Sequence, residues 1–387
     1  MATAETELLI RTRRDLHQHP ELAFEEVRTA AIVAERLRAA GYEVETGIAE
    51  TGVVGTLRGE AGDGPTLLLR ADMDALPIVE ETAHDFRSTI DGKMHACGHD
   101  AHTAIGLAVA ERLAANRHAW GGTVKYVFQP AEEGGQGALR MIEQGVLEGV
   151  DQALGLHVWM GLPTGIVGVT PGPFMASAGE FELTIRGHGG HGAMPEQTVD
   201  AVVIGSHVVV ALQSIVSRSV SPLESAVVTV GAFHAGTAQN VIAESARLVG
   251  TVRAFEVDAC EELPRRIEKI AAGICQAMGA TYEFHYRQDT PPTINDAAMA
   301  SLVRDAAEEV VGAERVRFGP QVRTMAAEDF AEFLLRVPGC YFFVGAMNEE
   351  KGAVHPHHNP RFDICEECLP VAVEVLERAA LRALSAG

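Results

Sequence analysis

The segment from His95 to His102 holds three histidines, one cysteine and one aspartate within eight residues. Imidazole, thiolate and carboxylate groups are the usual protein ligands of zinc-like divalent ions. A strand-rich region precedes this segment and a helical pattern follows it, which places the segment in a connecting loop. The pattern indicates a metal site, and the alternative is a polar surface turn.

A pair of adjacent carboxylates, Glu132 and Glu133, follows the apolar run Tyr126–Phe128. Active groups of α/β proteins collect at the carboxyl ends of strands, and this pair stands at such an end. Adjacent glutamates are more often solvent-exposed residues without a function. Gly134 and Gly135 follow this pair, however, and favour a loop of fixed conformation. The pair is therefore a candidate for metal binding and proton transfer.

Two further places carry histidines. His157 closes the apolar run 153–158, where a hydrogen-bonded core histidine is the alternative to a ligand. Near the C-terminus, His355, His357 and His358 stand close together in a predicted loop. These four places together supply enough ligands for two ions and leave one glutamate free to move a proton.

Charge and composition exclude several classes of protein. The chain has 53 acidic against 31 basic residues, a formal charge of −22, which repels nucleic acid and anionic membranes. No uninterrupted apolar run approaches the roughly 20 residues of a membrane span. The first residues show no signal-peptide pattern, and six scattered cysteines suit a reducing compartment. We therefore expect a cytoplasmic protein without nucleic-acid or membrane partners.

The elements around the candidate site alternate, which is typical of a layered α/β domain. The predicted strands here are 42–48, 53–58, 66–70, 124–128 and 153–158, with helices at 103–116 and 138–144. From about residue 178 the order becomes β-α-β-β-α-β, the ferredoxin-like pattern. At 387 residues the chain is long enough for two domains. We predict a catalytic domain of residues 1–177 and 291–387, with residues 178–290 inserted as a second domain.

At this point the sequence resembles a known family: the metal-dependent amidohydrolases that include aminoacylases, hippurate hydrolases and auxin-conjugate hydrolases, relatives of the co-catalytic zinc carboxypeptidases. The likeness covers essentially the whole chain. The runs that carry it are LHQHPELAFEE (16–26), LLRADMDALP (68–77), MHACGHDAHTA (94–104), VFQPAEEGGQGA (127–138), GLHVW (155–159), GHGGHGAMP (187–195), AQNVI (238–242) and GTVR (250–253).

The resemblance implies a zinc-peptidase-like catalytic domain, with a mixed sheet and flanking helices, that holds two divalent metal ions per subunit. Zinc or manganese is expected, with cobalt and nickel as alternatives. The thiolate of Cys97 would be shared between the ions. The implied ligands are Cys97, His99, Glu133, His157 and His358.

The resemblance also assigns roles to other residues. Glu132 would be the general base, and Asp74 would orient a ligand or that base. His358 is preferred to His355 and His357 because the run His358-Asn-Pro-Arg-Phe matches the family pattern. His355 and His357 remain the alternatives.

By the same resemblance, the inserted α+β domain is a lid that also forms a homodimer, with a tetramer as the alternative. His191 would reach the partner's site and stabilise the oxyanion. Asn240 and Arg253 would hold the α-carboxylate of the substrate. The alternatives are that His191 caps a glycine-rich turn and that Arg253 lies in a salt bridge.

The implied reaction is hydrolysis of the amide bond of small N-acyl-L-amino acids, hippurate-like or acetylated, to a carboxylate and a free amino acid. A dipeptidase, a carboxypeptidase or an N-acetyl-diaminopimelate deacetylase would use the same chemistry on another substrate. A catalytically inactive metal-binding homologue is a third hypothesis. The free glutamate beside the predicted ligands argues against it.

Overall fold

The computed structural model describes residues 4–385. The first three and last two residues, which include both ends of the predicted catalytic domain, lie outside the described part. The chain divides into two compact units, and the main segment of the second extends three residues beyond the predicted insert 178–290 at each end. Unit 1 spans Met1–Phe174, Ile294–Arg323 and Asp329–Gly387, and unit 2 spans Met175–Thr293 and Thr324–Glu328.

The short piece Thr324–Glu328 belongs to unit 2 although it is remote in sequence. Thr324 forms a parallel bridge with Met175, and the Ala176 N–H donates to the Ala326 carbonyl at 2.9 Å. Such pairing depends on long-range backbone contacts, so the sequence pattern did not reveal it.

An eight-stranded mixed sheet forms the centre of unit 1. Its four middle strands are parallel, and strands at both sides are added in antiparallel orientation. This confirms the predicted α/β class with a mixed sheet. In spatial order the strands are Glu43–Ile48, Gly52–Arg58, Thr123–Gln129, Thr66–Asp72, Gln152–Pro163, Gly339–Met347, Val167–Val169 and Val316–Phe318.

The middle strands are buried along most of their length, as expected for a parallel sheet covered on both faces. Leu67, Leu68 and Leu69, for example, are fully buried. Two short strands, Gly172–Met175 and Thr293–Asn295, stand where the chain passes between units. The flanking helices of unit 1 are Ala4–Gln18, Val27–Ala39, His99–Ala115, Gly137–Glu143, Ala297–Val311, Ala331–Leu334 and Cys368–Ser385.

The helix after the histidine-rich segment begins earlier than predicted. It starts at His99 rather than at residue 103, because Gly98 adopts a left-handed conformation with φ of 94° and ends the loop there. A Cβ atom at this position would lie 2.6 Å from Val158 Cγ2. His99 therefore stands in the first turn of a buried helix and not in a flexible loop.

Unit 2 is an antiparallel four-stranded sheet with two helices, and the predicted β-α-β-β-α-β order is confirmed. The first and third strands of this order are central, as in the ferredoxin-like fold. Gly190–His191 and Val241–Ile242 form a separate two-stranded ribbon that was not predicted. The elements are Ala178–Arg186, Ala201–Ser214, Ala226–Ala235, Ser245–Ala254, Val257–Met278 and Thr281–Thr290.

One helical stretch in the described chain, Ala201–Ser219, passes a test for a membrane span by length and composition, with a mean hydropathy of 1.5. Core helices of globular proteins pass the same test. Ile204, Val208 and Leu212 on this stretch are fully buried in the apolar core of unit 2.

Candidate metal centre

The candidate ligands lie at the carboxyl edge of the parallel strands in unit 1. Strand register aligns Asp72 with Gln129 and Arg70 with Gly155, so the residues that follow these strands emerge at the same level. Glu132 and Glu133 follow one strand, Asp74 follows the next, and His157 lies on the third. The sheet thereby positions groups that are far apart in sequence.

Cys97, His99 and His157 form a first donor group, with all their donor atoms within 4.8 Å of one another. Cys97 Sγ lies 3.5 Å from His157 Nε2. His99 Nδ1 lies 2.8 Å from the Asp74 carbonyl and His157 Nδ1 lies 2.7 Å from the Val158 carbonyl. Since a carbonyl only accepts, each Nδ1 donates its proton there, and Nε2 is the ring nitrogen left to face the other donors of the group.

Cys97, Glu133 and His358 form a second donor group. His358 Nε2 lies 3.0 Å from Glu133 Oε1, and this contact raises the pKa of His358. His358 is a non-glycine residue with a positive φ, 65°, which turns its side chain into this position. Cys97 is common to both donor groups.

The donor set fits divalent metal ions. His99 Nε2 is buried and has no hydrogen-bond partner among the described residues. Burial lowers the pKa of His157 well below its usual value, which keeps the imidazole neutral and able to ligate. Burial, and then the nearby Glu133, raise the pKa of the Cys97 thiol, so its thiolate requires a cation.

Residues 131–135 form a tight turn, called the glutamate turn below, that carries Glu132 and Glu133. Both N–H groups of the pair donate to the buried Asp74 carboxylate: Glu132 to Oδ1 and Glu133 to Oδ2, each at 3.0 Å. Glu132 Oε2 lies 4.0 Å from His99 Nε2, and its side chain is 11% exposed. Asp74 therefore orients the turn, and the Glu132 carboxylate is placed beside the donor groups with access to solvent.

The structure also contains supporting residues that were not predicted. His102 Nδ1 donates to Asp72 Oδ1 at 2.6 Å, and its Nε2 accepts from the Val158 N–H at 2.9 Å. Both ring nitrogens of His102 are therefore occupied: one contacts Asp72, and the other contacts the strand residue next to His157. The histidine-rich run was a signal for His102, but only the fold separates a support from a ligand.

The buried Arg70 connects Asp72, the partner of His102, with other residues at the carboxyl edge of the sheet. Arg70 donates to Asp72 Oδ2 at 2.6 Å, to Gln129 Oε1 at 2.8 Å and to Asp329 Oδ1 at 3.0 Å. Asp329 also accepts from the Ala138 N–H at 3.0 Å, just after the glutamate turn. These long-range contacts leave no periodic or spacing signal in the sequence.

The other two histidines of the C-terminal cluster are placed differently from His358. His357 Nε2 accepts from the Met160 N–H at 3.2 Å, and its ring centroid lies 4.8 Å from that of Trp159. Desolvation lowers the pKa of His357 to about 3. His355 is partly exposed in the same loop. Of the three, His358 is the one grouped with Cys97 and Glu133.

In unit 2, the structure brings two of the three predicted residues together. His191 pairs with Val241 in the ribbon, and the Gly192 N–H donates to the Asn240 carbonyl at 2.8 Å. His191 Nδ1 accepts from the Ala193 N–H at 3.0 Å, which is the turn-capping contact considered as an alternative. Arg253 lies on a central strand and donates to the Val252 carbonyl at 3.0 Å.

An α/β sheet whose carboxyl edge gathers cysteine, histidine and glutamate donors beside a further glutamate defines a metallohydrolase. Residues 68–382 match the model of peptidase family M20/M25/M40, and the chain belongs to this family. It is therefore a hydrolase, as the resemblance implied.

Relatives and solved structures agree with this assignment. An IAA-amino acid hydrolase of Arabidopsis thaliana (ILR1-like 4) is 40% identical over 97% of this chain and 86% of its own length. An N-acetylcysteine deacetylase of Bacillus subtilis is 39% identical over 96% of both chains. The crystal structure of Bacillus subtilis YXEP, a dinuclear metal binding peptidase from the M20 family, superposes with a TM-score of 0.85 at 35% identity over 99% of both chains.

Proposed function

We propose that this protein hydrolyses the amide bond of small N-acyl-L-amino acids and releases a carboxylate and a free amino acid. One observation carries the proposal: the Glu132 carboxylate lies 4.0 Å from His99 Nε2, an atom without a hydrogen-bond partner among the described residues, and beside two donor groups that share Cys97. A carboxylate that can act as general base beside groups of metal-ligating side chains is an arrangement suited to metal-assisted amide hydrolysis.

The proposed ligands fall into the two groups described above. Cys97, His99 and His157 would hold one ion, while Glu133 and His358 would hold the second and share the Cys97 sulfur. Two divalent cations supply Lewis acidity, which acidifies water and polarises an amide carbonyl. Zinc or manganese suits a set of thiolate, imidazole and carboxylate donors, with cobalt or nickel as alternatives.

Glu132 performs the proton transfers in this proposal. Its carboxylate takes a proton from the attacking water and delivers it to the amine as the amide bond breaks. Asp74 fixes the peptide groups of the glutamate turn, so the carboxylate need not reorganise during the reaction. The Asp329 N–H lies 3.5 Å from Glu132 Oε1, which leaves Oε2 directed towards His99.

Substrate binding is assigned to unit 2. Asn240 and Arg253 would hold the α-carboxylate, and His191 of one subunit would stabilise the oxyanion in the site of the other. The names of the two relatives support small N-acyl amino acids, since one acts on IAA-amino acids and the other on N-acetylcysteine. We propose a homodimer formed through unit 2, with a tetramer as the alternative, and a cytoplasmic location, which the six free cysteines favour.

Release of free amino acid from a panel of N-acetyl and N-benzoyl amino acids and simple dipeptides tests the proposal. The metal-reconstituted protein is compared with Glu132→Ala and with a control, Glu143→Ala, which replaces an exposed glutamate on a nearby helix. We expect cleavage of acyl amino acids, normal activity in the control, and a loss of about 10²- to 10⁴-fold in Glu132→Ala with metal still bound.

Two other outcomes would change the assignment. Cleavage of dipeptides alone would favour a dipeptidase or carboxypeptidase that uses the same centre. No cleavage of any substrate by the metal-loaded wild-type protein would favour a non-catalytic metal-binding homologue.

A further inference from the structure

Two carboxylates accept hydrogen bonds from three consecutive backbone N–H groups of the glutamate turn. Asp74 accepts those of Glu132 and Glu133, and Glu26 Oε1 accepts that of Ala131 at 2.9 Å. Glu26 comes from the N-terminal part of the chain, 105 residues before Ala131. The proposed mechanism uses Asp74 but assigns nothing to Glu26.

The Glu26 side chain has no exposed surface and is itself held in place. Thr51 Oγ1 donates to Glu26 Oε2 at 2.5 Å, so each carboxylate oxygen has a different donor. The segment that carries Glu26 is also tied to the Asp74 loop, since the Ala75 N–H donates to the Glu21 carbonyl at 2.8 Å. The segment 21–26 therefore forms hydrogen bonds both to the glutamate turn and to the loop that carries Asp74.

The turn requires such support because its backbone is strained. Ala131 has φ of 54°, a left-handed conformation that an L side chain rarely adopts. The Gly137 N–H donates to the Ala131 carbonyl at 3.1 Å, and a Cβ atom on Gly137 would lie 1.7 Å from the Pro130 carbonyl oxygen. A strained peptide persists only where its surroundings hold it, and Glu26 holds the N–H side of this peptide.

We propose that Glu26 is a positioning residue for the metal centre: by fixing the Ala131 peptide, it sets the direction in which Glu132 and Glu133 leave the turn. This inference rests on the proposed function, because the two glutamates are taken as general base and ligand. Groups that orient metal ligands without touching the metal commonly change activity or metal affinity by about 10- to 100-fold when removed.

The test compares Glu26→Ala, Glu26→Gln and Glu25→Ala. The amide oxygen of Gln keeps the acceptor for the Ala131 N–H, and the Thr51 hydroxyl can rotate to accept from the amide nitrogen. Glu25 is the adjacent residue, and its exposed side chain pairs with Lys93. Glu25→Ala therefore controls for the loss of a glutamate at a neighbouring position. The readouts are kcat, KM and titration with Co²⁺, whose absorption reports both stoichiometry and affinity.

We expect Glu26→Ala to lower kcat by about 10- to 100-fold with KM within about threefold, and to weaken binding of one Co²⁺ ion. Glu26→Gln and Glu25→Ala should stay within about threefold of wild type in every readout. A merely structural role would lower the melting temperature alone. The proposal is overturned if folded Glu26→Ala keeps both wild-type kcat and wild-type Co²⁺ affinity.

A second variant covers the case in which Glu26→Ala does not fold. Thr51→Val removes the hydroxyl that holds Glu26 but keeps the shape of the side chain, and it should lower kcat and Co²⁺ affinity severalfold. Unchanged values in folded Thr51→Val would overturn the proposal. If wild type cleaves no substrate, the proposed function fails, and the Co²⁺ titrations still decide whether Glu26 positions Glu133.

Discussion

Arg13 Nε donates to Asp100 Oδ2 at 2.8 Å, and both side chains are completely buried although 87 residues separate them. Asp100 immediately follows His99 in the first turn of its helix. The same guanidinium also contacts Asp363 at 2.7 Å and Glu366 at 3.3 Å, which follow the loop that carries His358. One N-terminal arginine thus joins two segments that supply donors to the metal centre.

Replacement of this arginine should destabilise the protein strongly. Arg13→Met leaves the buried Asp100 carboxylate without its main partner, which typically costs about 3 to 5 kcal/mol. Arg14→Met is the matched control, because Arg14 is 41% exposed and pairs with Glu366. The free energy of unfolding in urea measures both effects. If the two variants differ by less than about 1 kcal/mol, the buried pair has no special role in stability.

The pair formed by His17 and Glu80 predicts a pH dependence of stability. Burial alone would raise the pKa of Glu80, but hydrogen bonds from His17 and Thr82 lower it to about 2, from an ordinary 4.5. A carboxyl group with a lowered pKa stabilises the folded chain above pH 4.5 and loses this effect as the pH falls towards 2. Glu80→Gln should therefore be less stable than wild type by about 1 kcal/mol at pH 6.

Unfolding in urea between pH 3 and pH 6 checks this prediction. The stability difference between wild type and Glu80→Gln should fall by about half at the acidic end. Glu81→Gln serves as the control, since Glu81 is exposed and pairs with Arg361 at the surface. A difference for Glu80→Gln that does not change with pH would contradict the assigned ion pair.

Asp74→Asn should impair catalysis more than stability. The variant keeps the shape of the side chain, but its amide nitrogen would face the N–H of Glu132 or Glu133, and two donors repel each other. We expect kcat to fall by about 100-fold, with weaker metal binding through Glu133. Steady-state kinetics and metal analysis measure this, with the exposed Asp91→Asn as control. A kcat within threefold of wild type would show that Asp74 does not orient the turn.

Cys97→Ala should affect both ions, since Cys97 belongs to both donor groups. We expect the metal content to fall below two ions per chain and the thiolate-to-cobalt absorption band to disappear. Cys340→Ala is the matched control, because Cys340 is fully buried on a strand of the same unit. Retention of two ions at wild-type affinity in Cys97→Ala would exclude a bridging sulfur.

The sequence predicted those parts of the candidate site whose residues lie close together in short contiguous motifs. Cys97, His99, Glu132 and Glu133 stand in motifs whose residue types indicate metal and proton chemistry. The apolar strand before the two glutamates also indicated that they lie at the carboxyl end of a strand. The histidine-rich run suggested a loop, yet His99 lies in a helix. Gly98 ends the loop early, and no periodicity marks that position.

The supporting residues were not predictable in the same way. Arg70, Asp72 and Asp329 are buried polar residues whose partners come from distant segments, and each is an ordinary charged residue in its local sequence. Glu26 was part of a recognised run, but its contact with Ala131 depends on the packing of two remote loops. Local pattern indicates candidate ligands, whereas the tertiary structure shows which groups contact and orient them.

The strand Gly339–Met347 lies inside the large sheet, between Gln152–Pro163 and Val167–Val169. A ribosome synthesises this strand after the other seven strands of the sheet, so the sheet stays open until this strand emerges. Unit 2, in contrast, is complete in one continuous stretch except for Thr324–Glu328. During synthesis, unit 2 can therefore fold while unit 1 still lacks one of its central strands.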